Sequence, residues 1–177
     1  MLGLWKLLLH LKPDRRDCIV ERDDGVSLDD WLLGQIDLWY AHLLATAPVE
    51  WLPVEDVASA LSPSADAQGV VTVAVPERCV RPVEWLLAGW QAPVSAFIQP
   101  GTAAEQAEQN VWTRSGKCRP AAVDYGDRLV LYSLDAGDAP VVTRARCVVR
   151  PADGTYVFHR EALATVEDLE IPFRRVQ

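Results

Sequence analysis

Beyond Gly69 the chain abandons any helical period and becomes a series of short, β-branched runs separated by glycine and proline. Val70-Val-Thr-Val-Ala-Val75 is bounded by Gly69 and Pro76, and such residues favour a pleated, half-buried surface. Residues 79–88 predict the next strand, in which Pro82 fits only at an edge or a bulge. Gly89–Pro93 reads as a turn and Val94–Ile98 as a short return strand. Pro120–Tyr125 and Arg128–Leu134 flank Gly126-Asp127, a pair suited to a tight hairpin turn. Asp135–Asp138 turns the chain again. Over Val141–Arg150 the pattern alternates. Thr143, Ala145, Cys147 and Val149 are expected on one side, and Arg144, Arg146 and Arg150 on the other. Strands this short and this close predict an antiparallel sheet. The strand–long helix–strand rhythm of a parallel sheet is missing.

Helical signals flank this region and interrupt it once. Ser27 is suited to cap a helix over 28–46, with Asp29 and Asp30 in the first turn, where the helix dipole favours acids. Leu28, Leu32, Ile36, Trp39, Leu43 and Leu44 recur at the spacing of one helix face, and Pro48 ends the run. Residues 48–68 carry Pro48, Pro53 and Pro63; Trp51 and Leu52 are expected to fasten this stretch to the core, with a surface loop over Ser62–Gly69. Thr102–Asn110 predicts a short helix with Thr102 as cap and Glu105 at capping-box spacing. Arg160–Leu169 predicts a last short one. The fold class is therefore α+β: an N-terminal helix, then an antiparallel β-rich body, sandwich- or barrel-like, with short helices. One domain is expected over 27–177, its β-rich body at about 69–150, preceded by an arm and charged connector at 1–26.

Charge narrows the functions. Lys and Arg number 17 against 25 Asp and Glu, a net −8, which argues against a polyanion binder held by bulk charge. The four cysteines, Cys18, Cys79, Cys118 and Cys147, have neither CxxC nor zinc-ribbon spacing, and reduced, mostly buried thiols are expected. Ser115-Gly-Lys117 resembles the end of a phosphate loop, but Val111 and Cys118 stand where glycine and Ser/Thr are needed. GxSxG, HExxH and calcium-loop patterns are absent. His42, beside Tyr40 and Leu43, reads as structural. The acidic pairs Asp23-Asp24, Asp29-Asp30 and Glu167-Asp168 read as solvated or dipole-stabilised. No catalytic residue, cofactor or metal ligand is predicted.

Two features point instead to contacts between proteins. Seven tryptophans are many for 177 residues, and tryptophan brings a large apolar area and one donor to an interface. Trp5 and Trp112 are the first candidates. Leu4 and Leu8 beside Trp5 make residues 1–12 a contact arm, too short to span a bilayer and unlike a secretion signal. Trp112 is followed by Arg114, Lys117 and Arg119. Basic residues near an aromatic ring suit single-stranded nucleic acid, subunit contacts or plain solvation.

The order of parts carries a family resemblance. After the 28–46 helix come Ala47-Pro-Val-Glu-Trp-Leu-Pro53, the Val70–Val75 strand, and Pro76-Glu-Arg-Cys-Val-Arg-Pro-Val83. Leu87-Ala-Gly-Trp-Gln-Ala-Pro-Val94 and Gln109-Asn-Val-Trp-Thr-Arg-Ser-Gly-Lys-Cys-Arg-Pro120 follow, then the Tyr125–Leu134 hairpin. This run, about residues 45–135, resembles head–tail connector or tail-neck subunits of bacteriophages and prophages, especially those of gut Bacteroidetes. It departs from them in lacking an aromatic residue in Pro76–Arg81 and in the extra residue at Arg114-Ser-Gly116. The resemblance implies a virion structural protein that forms a homo-oligomeric ring and docks on portal or tail subunits, with DNA at most passing through an acidic lumen. It implies no catalytic residue. Candidate interface residues are Leu4, Trp5, Leu8, Trp112, Arg114, Lys117, Arg119, Arg144, Arg146 and Arg150. The alternatives are a bacterial cytoplasmic binding or adaptor domain, an enzyme of unrecognised class, and a nucleic-acid reader. No membrane association is expected.

Overall fold

The computed structural model describes residues 28–152 and 154–163. It is α+β, with two helices and two antiparallel sheets among the described residues. Contacts divide the described residues into two compact units: Pro48–Phe158, and those before Pro48 together with those from His159 onward. Helix α1, Leu28–Thr46, belongs to the second. Among its described side chains Ile36, Trp39, Tyr40, Leu43 and Leu44 are buried, and Pro48 stands just beyond its end. Residues 160–163 form a 3₁₀ turn. The rest of the helix expected over Arg160–Leu169, like Leu4, Trp5 and Leu8, lies outside the described residues.

The Pro48–Phe158 unit holds both sheets. In the first, β1 (Val54–Asp56), β7 (Val142–Val149) and β4 (Cys79–Leu87) lie in the order β1-β7-β4. The second has the order β2-β3-β6-β5, built from β2 (Ser64–Ala65), β3 (Val71–Ala74), β6 (Arg128–Leu131) and β5 (Ala122–Asp124). Both sheets feed one apolar core. Val71 and Val73 of β3, Leu129 and Leu131 of β6, Trp85 and Leu87 of β4, and Ala145, Cys147 and Val149 of β7 all join it. Period-2 alternation in each strand aims these residues inward.

Turn chemistry sets the register where the sequence is explicit. Tyr125 N donates to Arg128 O at 3.0 Å, leaving Gly126-Asp127 as a two-residue loop. Positive φ at Gly126 and not at Asp127 is the pattern of a type II′ hairpin. Asp138 N returns to Asp135 O at 3.1 Å, with Gly137 in the left-handed region. Pro82 satisfies both of its expectations: β4 is an edge strand, and its pairing with β7 slips between Pro82 and Glu84.

Four local expectations need correction. Residues 94–98 are no strand. Val94 bridges Trp85 of β4, while Ile98 bridges Val123 of β5. The segment leaves the edge of one sheet and reaches the edge of the other within four residues, too few to pair along either. Thr143 does not face inward: Leu86 pairs with Arg144 and Leu87 with Val142. Thr143 is thus the extra residue of a bulge, exposed, with its hydroxyl on Leu86 O at 3.1 Å. A bulge reverses the alternation on one side of itself. The sheets also begin earlier than residue 69, at Val54, and Ser64–Ala65 is paired rather than looped. Strands of two or three residues carry no readable period; their partners' backbones define them.

Candidate functional site: an interface loop

The loop around Trp112 starts from helix α2, Ala103–Gln109. Thr102 caps α2, accepting from Glu105 N at 3.3 Å. Glu105 reaches back, as a capping box requires, but to Gly101 N (2.6 Å), one residue earlier than expected. Its other oxygen accepts the Tyr125 hydroxyl and Gln109 Nε2 at 3.2 Å. Glu108, one turn on, accepts from Ser115 N at 2.9 Å and from Ser115 Oγ at 2.6 Å. Both glutamates are buried. Every oxygen of theirs has a donor from the same unit, as burial of a carboxylate demands.

Beyond α2 the chain makes a turn held by its own side chains. Asn110 Oδ1 accepts Trp112 N at 3.0 Å, and Asn110 O accepts Arg114 N at 2.9 Å. Thr113 Oγ1 donates to Ala107 O at 2.6 Å. The outcome is a fixed loop whose tip is apolar. Trp112 is 93% exposed and Val111 63%.

Residues 114–117 then tie several loops together. Arg114 Nε donates to Glu108 O (2.9 Å) and Nη1 to Gln68 O (3.0 Å), with the guanidinium over the Tyr132 ring. Ser133 Oγ donates to Ser115 O, and Ser133 holds a φ of +79°. Gln91 N donates to Lys117 O at 3.0 Å, and Lys117 Nζ pairs with Asp135. That carboxylate holds the ammonium more firmly protonated than usual. Of the candidates in this segment, Arg114 and Lys117 therefore serve the unit's own architecture. Trp112 and Arg119 are left to solvent.

The arginines of β7 share a similar fate. Arg144 and Arg146 stand on the outer face, but Glu84 of β4 pairs with both, the second at 3.6 Å. Arg150 is exposed, its N–H bound to Arg78 O at 2.8 Å. The cationic face is thus largely compensated. Because both arginines are about half exposed, Glu84→Gln is expected to cost less than about 1 kcal/mol. Urea unfolding checks this value, and retention on a polyanion resin should rise as the two guanidiniums are released.

Sequence reasoning missed the Tyr125–Glu105 contact. It joins the hairpin to α2, and no local pattern marks it. The Tyr125 hydroxyl, with Gly101 N and Gln109 assisting, holds the Glu105 carboxyl below its ordinary range. Tyr125 is pushed up to about 12, first by that hydrogen bond. The signs follow directly. A depressed carboxyl stabilises the fold above its ordinary pKa, and this stability is lost as pH falls through the lowered value. A raised phenol stabilises below its ordinary pKa, with loss as pH climbs toward about 12. Tyr125→Phe is expected to flatten both limbs, which denaturant midpoints measured in acid, at neutrality and in strong base would show.

Among the described residues no group of three His, Cys, Asp or Glu converges to hold a metal ion, and no helix is long and apolar enough to cross a membrane. No family model matches the chain, nor does any of the curated proteins or solved structures compared with it.

Proposed function

We propose that this chain is a non-enzymatic structural subunit that works by self-assembly, as a head–tail connector or neck-ring component of a phage or prophage particle. One observation carries the reading: Trp112 is 93% exposed at the tip of a loop fixed by hydrogen bonds on both sides. Water is a poor environment for that ring, and no flexibility of the loop is needed for function by burial. A rigid, exposed aromatic side chain is the usual anchor of an interface, because it buries much area at little entropic cost. The polar clusters nearby support the same reading, since Glu105, Glu108, Arg114 and Lys117 are consumed by internal bonds.

In this proposal the two sheets form a sandwich-like body, and the interface is heterologous, so that head-to-tail repetition closes a ring. Trp112 enters an apolar site on the neighbouring subunit, with Val111 and Arg119 beside it. Portal or tail subunits cover the ring faces. A net charge of −8 suits a lumen that lets DNA pass without trapping it. The resemblance over about residues 45–135 supplies the phage context. Electron microscopy of the concentrated protein tests the reading. Closed rings of one size support it, and separate single subunits at every concentration and salt level overturn it.

A further inference from the structure

We propose that Cys79 and Cys147 form an oxidation site, at which a disulfide can join strands β4 and β7 without unfolding the sheet. Both side chains lie on the core-facing side. Cys147 is fully buried and Cys79 half-buried against the same apolar cluster. Both are free thiols. Cys79 pairs with Val149 and Cys147 with Pro82, so the two occupy diagonal positions on adjacent strands. The register slips between Cys79 and Arg81, and such a bulge sharpens the local twist. The Cys79 thiol is a polar neighbour of the Cys147 sulfur. No other cysteine faces this pair among the described residues. Cys118 is exposed, just beyond the 114–117 segment.

The chemistry runs in one order. Cys79 is the accessible thiol, so it reacts first with a low-molecular-weight disulfide. Its thiolate attacks one sulfur of that reagent, forming a mixed disulfide; the released thiolate takes up the proton that Cys79 lost. Cys147 then gives up its proton and attacks the Cys79 sulfur. The mixed disulfide breaks and the second reagent thiol leaves with that proton. Two protein thiols are oxidised and one small disulfide is reduced to two thiols. Burial pushes both protein thiols up, Cys147 to about 12. The reaction is therefore slow at neutral pH and accelerates with base.

The test is exposure of the folded full chain to glutathione disulfide, with Cys18 and Cys118 replaced by serine so that only this pair reports. The expected result is an intact mass lower by two hydrogens, a linked peptide containing Cys79 and Cys147, and a raised melting temperature that dithiothreitol reverses. Adding Cys79→Ser should abolish the link and leave Cys147 unmodified in the folded protein. Three outcomes overturn the proposal. One is a stable glutathione adduct on Cys79, which would mean that the strands hold the sulfurs too far apart for closure. The second is a link that forms only in denaturant. The third is a link that lowers the melting temperature.

Discussion

Replacing Gly69 with alanine is expected to destabilise the Pro48–Phe158 unit by about 3–4 kcal/mol, the sum of a backbone penalty and a steric one. Gly69 holds a φ of +75°, and a Cβ there would overlap the Leu134 carbonyl oxygen and stand 3.0 Å from its carbon. The left-handed backbone alone costs an L-residue roughly 1–2 kcal/mol. The overlap is with main chain, so no side chain can swing away. The loop must separate from residues 133–135, and that movement strains the Arg114–Gln68 hydrogen bond and the Asp66 turn, in which Asp66 Oδ1 accepts Gln68 N and Val70 N. Gly137 is the control. Its φ is +92°, but nothing lies within 4 Å of an added Cβ, so Gly137→Ala should cost only the backbone penalty. Urea unfolding of the two variants separates the effects. Equal losses would show that the close approach at Leu134 does not constrain the loop.

Trp112→Ala is expected to act in the opposite way, leaving folding almost untouched and removing association. The side chain is 93% exposed, so its loss should change unfolding stability by no more than about 0.5 kcal/mol. At an interface, truncating a central aromatic anchor typically costs about 2–4 kcal/mol, roughly 30- to 1000-fold in affinity per contact. In a closed ring the loss recurs at every interface, so the oligomer should disappear over the ordinary concentration range. Arg119→Ala, at the rim of the same loop, should weaken association far less and mainly at low salt. Melting temperature and solution mass, measured on the same samples, distinguish a lost anchor from a damaged fold.

Features whose cause is local were legible in the sequence. Gly126-Asp127 and Asp135–Asp138 turn the chain because a positive φ is needed at one position, and a glycine supplies it there. Thr102 caps α2 because its hydroxyl meets an N–H three residues on. Pro82 marked its own edge and bulge. The exposure of Trp112 was legible from the chain's seven tryptophans, many for its length, one of which stands on a polar loop. What was not legible depends on partners remote in the chain. Arg144 meets Glu84, sixty residues away. Arg114 meets the Gln68 carbonyl from a neighbouring loop, and the Thr143 bulge exists only in the pairing of β7 with β4. A basic side chain looks the same in sequence whether it awaits a partner or already has one. That is why Arg114, Lys117, Arg144 and Arg146 read as candidates for contact when the fold already employs them.

Self-assembly through the Trp112 loop is the central claim, and the mass in solution tests it most directly. Light scattering on a size-exclusion column, at two protein concentrations, should give the natural chain a mass well above 19.6 kDa, rising with concentration or fixed at a closed oligomer. Trp112→Ala should elute as the single subunit under the same conditions. A natural chain that stays at the mass of one subunit at both concentrations, or a variant that assembles as well as the natural chain, would contradict the account.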